Sequence, residues 1–218
     1  PALSESVQYD RAVGYFTSNI FFSAVAGITS FIENDGVIRL LIGTTITQEE
    51  YDAFIIGYNK KKIVDKFGDN FINDISQLKS SLFQKRLDAL SWLIASERLQ
   101  VKISFRPQGI MHKKIGILKD VNGDEIIFQG SSNETKYAFD KNLNSESFSV
   151  YKSWVPELSV YCDFYKKIFD NLWSGNAEDI AVVDLPEIPL NYFTDRASSL
   201  ENPPNVKEEM EYYEKYKL

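Results

Sequence analysis

The sequence is short of the residues that most often build a metal centre or a disulfide framework. Its 218 residues include one cysteine, Cys162, and one histidine, His112. A single cysteine cannot form an intrachain disulfide, and this pair gives no cluster for a structural zinc ion. The sequence therefore favours a protein of a reducing compartment, which we expect to be the cytoplasm.

No apolar run in the sequence is long enough to cross a membrane. The longest candidate, residues 20–32 (IFFSAVAGITSFI), is interrupted by Ser, Gly and Thr. It is shorter than the roughly 20 residues that a spanning helix needs. No basic segment or cleavage site accompanies it, so we expect neither a signal peptide nor a membrane partner.

Positive charge is scarce overall. The sequence has 24 Lys and Arg against 31 Asp and Glu, which gives a formal net charge of -7. Taken alone, this balance argues against a dedicated nucleic-acid binder. Lys and Arg nevertheless cluster in the middle of the chain, as in NKKK at 59–62. Such a run is more typical of a solvated helix face, but its local field could also attract a DNA backbone.

The sequence does contain alternating strand and helix patterns. Runs of β-branched and apolar residues indicate buried strands, and apolar residues at helical spacing indicate amphipathic helices. The pattern predicts an α/β fold in which helices flank a mixed β-sheet. Strands are predicted at 11–16, 37–44, 101–107, 111–118, 125–130 and 145–153, and helices at about 18–32, 47–67, 74–99 and 156–172.

The end of the chain differs in composition from the rest. After Trp173 the helical pattern decays, and the segments VVDLPEIPLNYF and SLENPPNVKEE are rich in proline and acid. We therefore expect one domain over residues 1–180. Residues 181–218 are predicted to be an acidic, Pro-rich linker or tail toward a downstream module.

The only histidine lies two positions before a lysine on a predicted strand. Side chains two apart on a strand share a face, so His112 and Lys114 are expected to point the same way. Met111, Ile115 and Ile117 would then point to the opposite, apolar side. A cationic face on a central strand needs solvent, a ligand or a partner charge, because an unpaired buried charge is costly.

The strand that returns ends in GSSN, and its polar side chains complete a set of reactive groups. Ser131 and Asn133 are two apart, and Glu146 begins the next predicted strand. Histidine is a competent nucleophile, while Lys, Ser and Asn donate hydrogen bonds to phosphate oxygens. A carboxylate can fix an imidazole tautomer. The sequence shows no carboxylate cluster for Mg²⁺, so the set suits phosphoryl transfer without a metal or other cofactor.

These residues, in this order, resemble the phospholipase D superfamily, whose motif is H-x-K, then an Asp, then G-S-x-N. The closer likeness is to the nuclease branch found at the N-terminus of bacterial restriction and anti-phage helicases. The shared segments GYF, RLLIG, HxKxGIxxDxxG, GSxNET and NxES stand here at 14–16, 39–43, 112–123, 130–135 and 144–147. The resemblance covers about residues 10–185 and implies a phospholipase D-like sandwich with a single motif copy per chain.

The resemblance also implies a role for each matching residue. His112 would be the nucleophile that forms a phosphohistidine, and Glu146 would orient a histidine. Lys114, Ser131 and Asn133 would bind the scissile phosphate. The family mechanism uses two histidines, one as nucleophile and one as general acid, and this chain has one. The resemblance therefore implies a homodimer that forms a shared active site across a two-fold axis.

Some assignments stay open at this stage. Asp120 falls one position later than the general superfamily motif would place its aspartate, and we expect it to be structural. Ser131 and Asn133 could be turn residues, which these residue types favour. Glu134 lies close to Glu146 in sequence and could compete for its role.

The resemblance implies a metal-independent nuclease domain of a restriction or defence enzyme, acting on DNA delivered by a downstream helicase or recognition domain. Two alternatives remain. One is a phospholipid phosphodiesterase or phosphatidyl transferase, because the motif recognises a phosphodiester and not its substituents. The other is a non-catalytic DNA-binding module with a decayed site.

Overall fold

A computed structural model of the chain describes residues 2–14, 31, 33–57, 60–76, 81–107, 109, 111, 113–130, 148–178 and 180–200. The strands are β1 (Ser6–Val13), β2 (Val37–Ile46), β3 (Leu99–Pro107), β4 (Ile115–Asp120), β5 (Glu125–Gly130), β6 (Phe148–Lys152) and β7 (Ala181–Asp184). The helices are α1 (Gln48–Ile55), α2 (Lys60–Ser76), α3 (Ser81–Ala95), α4 (Pro156–Trp173) and α5 (Glu187–Ser198).

The strands form one mixed sheet in the order β6-β5-β4-β1-β2-β3-β7. Strands β1, β2 and β3 are parallel, whereas β4, β5, β6 and β7 each run antiparallel to a neighbour. Helices pack on both sides of this sheet. The predicted α/β fold with a mixed sheet is therefore confirmed.

Two hydrophobic clusters lie on opposite faces of the sheet. Face one carries alternate residues such as Tyr9, Ile38 and Ile103, and these pack mainly against α2, α3 and α5. Face two carries the residues between them, such as Ala12 and Leu41, which pack against α4. The alternation follows from the pleat of a strand, which turns successive side chains to opposite faces.

The helix predicted over residues 47–67 begins as expected but ends earlier. The Thr47 side chain accepts a hydrogen bond from the Glu50 backbone N–H at 3.1 Å, and the Glu50 carboxylate accepts one from Thr47 at 3.0 Å. This capping box fixes the start of α1. The helix does not continue to residue 67, because Gly57 takes a left-handed conformation with φ of 78°. Such a residue ends a helix, and α2 begins separately at Lys60.

The chain beyond residue 180 differs from the predicted linker as far as residue 198. Strand β7 extends the sheet by pairing with β3, and α5 packs on face one with Phe193 fully buried. Arg196 of this helix reaches Asp88 of α3 at 2.7 Å. Proline and acid in this segment therefore accompany a packed strand and helix. Residues 201–218 lie outside the described part of the chain.

Of the helices that the structure describes, none has the length and apolar character needed to span a membrane.

Candidate active site

The predicted catalytic segments connect to one edge of the sheet. Because β1 to β3 are parallel and β4 is antiparallel to β1, several strand termini meet there. We call this the motif edge. It is defined by the ends of β1, β2, β3 and β5 and the beginnings of β4 and β6, at Val13, Ile46, Pro107, Gly130, Ile115 and Phe148.

Four of the five predicted site residues lie outside the described residues: His112, Ser131, Asn133 and Glu146. In sequence, Ser131 directly follows the last residue of β5, and residue 147 directly precedes β6. Lys114 directly precedes β4. All of these described anchor points belong to the motif edge.

Lys114 is the predicted site residue that the structure describes, and it is buried, with 3% of its surface exposed. The predicted strand over 111–118 is shorter than expected, since β4 begins at Ile115 and residues 111, 113 and 114 are outside it. The ladder weakens at this point. The Gly130 N–H donates to the Lys114 carbonyl at a long 3.4 Å.

The predicted apolar partners of this segment do share a face. Met111, Ile115 and Ile117 are all buried in the face-two cluster. The predicted apolar side of this segment is therefore confirmed, while Lys114 lies just before the strand.

Arg11, on face one, is a second buried cation, and the sequence interpretation missed it. It lies in β1 with 3% of its surface exposed, and its guanidinium is 5.2 Å from the centre of the Phe128 ring. It pairs in register with Gly116 of β4. The sequence signal that could have found it is the alternation of side chains along the strand. Arg11 occupies an inward position between the buried residues Tyr9 and Val13.

Gly116 makes room for this arrangement. A Cβ atom at this position would lie 2.0 Å from Cζ of Phe128, its partner on β5. The ring therefore covers the backbone of β4 and meets the Arg11 guanidinium. The glycine of the segment HKKIGIL is required by this close approach.

Asp120 lies at the opposite end of β4 from Lys114, about 20 Å away along the strand. Its carboxylate accepts hydrogen bonds from the backbone N–H groups of Asn122 and Asp124, at 2.8 and 2.9 Å. These contacts hold the turn between β4 and β5. The distance and the contacts fit the structural role expected for Asp120.

Face two carries a compensated arginine. Arg39 donates to Asp10 at 2.7 and 2.5 Å, and its guanidinium lies 5.0 Å from the Phe169 ring centre and 5.6 Å from that of Trp173. The hydrogen bond that Arg39 donates to Asp10 raises the pKa of the guanidinium further above its ordinary value. The arginine is thus paired with a carboxylate, and it contributes to the packing of α4 against the sheet.

Cys162 lies in the same core with 2% of its surface exposed. Burial raises the pKa of its thiol. A protonated, enclosed thiol is a poor nucleophile. The structure therefore gives Cys162 a packing role.

The basic segment at 59–62 opens α2. Lys61 and Lys62 are exposed, and Lys66, one turn on, pairs with Glu50 at 3.0 Å. Asp65 and other acids share this surface. The mixed charge agrees better with a solvated helix face than with a phosphate-binding track.

An open groove of about 710 Å³ lies at the edge of the sheet opposite the motif edge. It is lined by polar groups that include Gln8, Gln100, Lys119 and Asp120. Its position at the beginnings of β1, β2 and β3 separates it from Lys114. Within the described ranges, no group of three or more His, Cys, Asp or Glu side chains could hold a metal ion.

Comparison with protein families matches residues 8–173 to the family described as "Cardiolipin synthase, PLD-like domain". The match runs from β1 to the end of α4 and includes both halves of the motif. A search of curated proteins found no match.

Proposed function

The chain belongs to the phospholipase D-like family, and from that premise we propose that it is a nuclease that cleaves DNA without a metal ion. The family supports phosphodiesterase-type chemistry in general. The choice of DNA rests on the ordered segments shared with restriction and anti-phage helicases. We propose further that the domain acts in the cytoplasm, on DNA delivered by a downstream helicase or recognition domain of the parent protein.

The observation that carries the proposal is the burial of Lys114 at the motif edge. Lys114 adjoins the described anchor points of every predicted catalytic segment. A scissile phosphate bound there would meet an ammonium donor that bulk water screens only weakly.

The proposed reaction has two steps, formation and hydrolysis of a phosphohistidine. The His112 imidazole attacks phosphorus, so an N–P bond forms and the P–O bond to the leaving oxygen breaks. A second histidine, acting as general acid, protonates that oxygen. Water then attacks phosphorus and gives a proton to the second histidine, the N–P bond breaks, and both histidines return to their starting states. Lys114, Ser131 and Asn133 stabilise the charge on the non-bridging oxygens, and Glu146 orients an imidazole.

The second histidine must come from another chain, because each chain has one. We propose a homodimer in which two motif edges meet across a two-fold axis. Each site would use one copy's His112 as nucleophile and the other's as acid. A closed two-fold dimer is the commonest oligomer, and it generates this pairing with identical contacts.

A second candidate function is a phospholipid phosphodiesterase or phosphatidyl transferase. The observation that favours it is the printed description of the matching family, which names cardiolipin synthase. The chemistry at phosphorus is the same, and only the groups on either side of the phosphodiester differ. A third possibility, binding of DNA without cleavage, would require an inactive site.

Plasmid DNA and a phospholipid, each incubated with the purified protein in EDTA, separate these functions. We expect the plasmid to be cleaved, the phospholipid to stay intact, and the His112→Ala variant to be inactive on both. Analytical ultracentrifugation of the same samples should show a dimer.

Each other outcome removes a specific part of the proposal. Phospholipid turnover with intact plasmid replaces the nuclease by the second candidate. Cleavage by His112→Ala removes the phosphohistidine mechanism, and an active monomer removes the shared site. DNA binding without cleavage by the wild-type protein leaves a binding module.

A further inference from the structure

Helix α4 exposes apolar side chains on the side that faces away from the sheet. Val160 and Phe164 are 64% and 57% exposed. Ten large apolar side chains are exposed in the part of the chain that the structure describes, and five of them lie within residues 150–164. Single exposed apolar residues are common on protein surfaces, whereas a concentration of this kind marks an interaction site. The outer surface of α4 is therefore a candidate docking surface.

Five exposed residues of α4 form one row along the helix. The residues that hold α4 in the core, Cys162, Phe169 and Leu172, lie on the other side of it. Residues that recur at intervals of three and four share one face of a helix. We call this row the α4 stripe, and it consists of Glu157, Val160, Phe164, Lys167 and Asn171. The stripe has an acid near its beginning, a lysine toward its end and apolar side chains between them.

The α4 stripe is complementary to itself when two copies of the helix run antiparallel. Val160 and Phe164 each lie two positions from Cys162 in the sequence. Glu157 and Lys167 each lie five positions from it. A two-fold axis at the level of Cys162 therefore brings Val160 of one copy opposite Phe164 of the other. The same axis brings Glu157 opposite Lys167, so the apolar contacts and the ion pairs form in a single register.

The two charged residues of the α4 stripe are available for this pairing. Among the described residues, neither Glu157 nor Lys167 has an ion-pair partner. The adjacent Lys166 differs, since it pairs with Glu125 at 2.8 Å. Exposed ion pairs add little affinity, but they determine which arrangement is favoured. They favour the antiparallel arrangement here, because a parallel one would set like charges opposite each other.

The beginning of the α4 stripe lies away from the motif edge. The Ser153 backbone N–H, just before α4, donates to the Glu125 carbonyl at 3.0 Å. Glu125 begins β5, whose other end, Gly130, belongs to the motif edge. Helix α4 therefore begins at the strand ends opposite the predicted catalytic segments. A copy docked on this helix is distinct from a copy docked at the motif edge.

We infer that the α4 stripe is a second self-association surface, on which two copies of the chain pack their α4 helices antiparallel about a two-fold axis at the level of Cys162. This inference goes beyond the proposed function and does not depend on it. The stripe offers few apolar side chains, so the contact is smaller than a standard stable interface and forms at high protein concentration. It joins motif-edge dimers into tetramers and leaves the dimer intact in dilute solution.

The test reverses the charges of the stripe one at a time and together, in the full chain. Glu157→Lys and Lys167→Glu each set like charges opposite each other, and the double variant restores opposite charges. The matched control is Glu187→Lys, because Glu187 is also an exposed acid in the first turn of a helix, α5, and lies outside the stripe. Sedimentation velocity over a concentration series at low ionic strength measures association. Thermal unfolding verifies that each variant is folded.

We expect the wild type to form assemblies larger than its dilute-solution dimer as the concentration rises. Each single charge reversal should weaken this association by roughly tenfold, because it turns two attractive pairs into repulsive ones. The double variant should return to within about threefold of the wild type, as expected for residues that act as a pair. Glu187→Lys should associate like the wild type.

The pattern across the variants decides the inference. Single variants that associate as strongly as the wild type would overturn it, and so would a double variant as weak as the single ones. A wild type that keeps one size at every concentration, with no effect of the charge reversals, would overturn it as well. If the wild type is a dimer that the charge reversals dissociate, α4 forms the dimer contact, and the proposed motif-edge dimer is the part that fails.

Discussion

The two faces of the sheet each hold an arginine against aromatic rings, but the surroundings of that arginine differ between the faces. On face two, Arg39 is paired with Asp10 and stacked against Phe169 and Trp173. The charge is neutralised where it stands, and a quarter of the arginine side chain reaches solvent. This arrangement suits a residue that joins strands β1 and β2 to helix α4.

On face one, Arg11 is buried, and its guanidinium lies 5.2 Å from the centre of the Phe128 ring. Its strand, β1, pairs with β4, which directly follows the buried Lys114. The two faces of the sheet therefore hold their arginines in different surroundings, although the strands that carry them, β1 and β2, are neighbours. Substitutions on each face test this contrast.

Replacing Lys114 by Met should have the largest effect. The lysine is proposed to donate to a non-bridging phosphate oxygen, and loss of one such donor costs about a hundredfold to a thousandfold in rate. We expect kcat/KM for DNA cleavage to fall by that factor. The measurement is a cleavage time course at a temperature where urea denaturation shows the variant to be folded.

The neighbouring Lys113 provides the matched control, because it is exposed while Lys114 is buried. Lys113→Met should cleave within about threefold of the wild type, as expected for a solvated lysine. A Lys114→Met enzyme as active as Lys113→Met would contradict the assignment of Lys114 to the phosphate.

Replacing Asp10 by Asn should instead weaken the fold. Removing one partner of a buried ion pair costs about 3–5 kcal/mol. Because Arg39 is partly exposed, we expect a smaller loss, about 2 kcal/mol. Urea denaturation measures it, and cleavage per folded molecule should stay close to that of the wild type.

The exposed pair of Arg98 and Asp35, at 2.6 Å, provides the control for this loss. Asp35→Asn should change the free energy of unfolding by less than about 0.5 kcal/mol, since exposed ion pairs contribute little. An Asp10→Asn variant as stable as Asp35→Asn would mean that the face-two pair does not stabilise the fold.

The fold was predictable where local signals agreed with the tertiary structure. The capping box at Thr47 and the apolar run of β2 each predict an element that forms. The segment after residue 180 was not predictable in this way, because proline and acid suggested a linker. Its place in the sheet depends on pairing with β3 and on burial of Phe193, which are long-range contacts.

The candidate site was predictable only in part. Residues two apart on a strand share a face, and the buried set of Met111, Ile115 and Ile117 confirms that pattern on the apolar side. Arg11 was missed because strand order cannot be derived from spacing. Its relation to Lys114 depends on the pairing of β1 with β4, two strands that are far apart in sequence.

Replacing Gly116 by Ala should have a moderate effect on face one. The added methyl group would meet the Phe128 ring at 2.0 Å, so the ring must move away from Arg11. We expect a loss of about 1–2 kcal/mol, because the ring is only partly buried and can turn outward. Thermal unfolding measures this loss.

Gly109 is the matched control for this substitution. A Cβ atom there would come no closer than 3.9 Å, to the carbonyl oxygen of Pro107. Gly109→Ala should therefore unfold within a degree or two of the wild type. Equal melting temperatures for the two alanine variants would show that Phe128 does not need the space above Gly116.

The smallest effect is expected for the reaction of Cys162 with a thiol reagent. The residue itself is not substituted, and the rate of its reaction measures how often face two opens. Its burial and the raised pKa of the thiol predict no measurable reaction of the native protein with a thiol reagent near neutral pH. Asp10→Asn weakens the same face, so local opening should speed the reaction, about tenfold for each 1.4 kcal/mol lost. Gly116→Ala perturbs the other face and should leave the native rate nearly unchanged if the faces open separately. Equal acceleration in both variants would show instead that the sheet opens as a single unit. The two faces would then differ in the surroundings of their arginines but not in how readily they open.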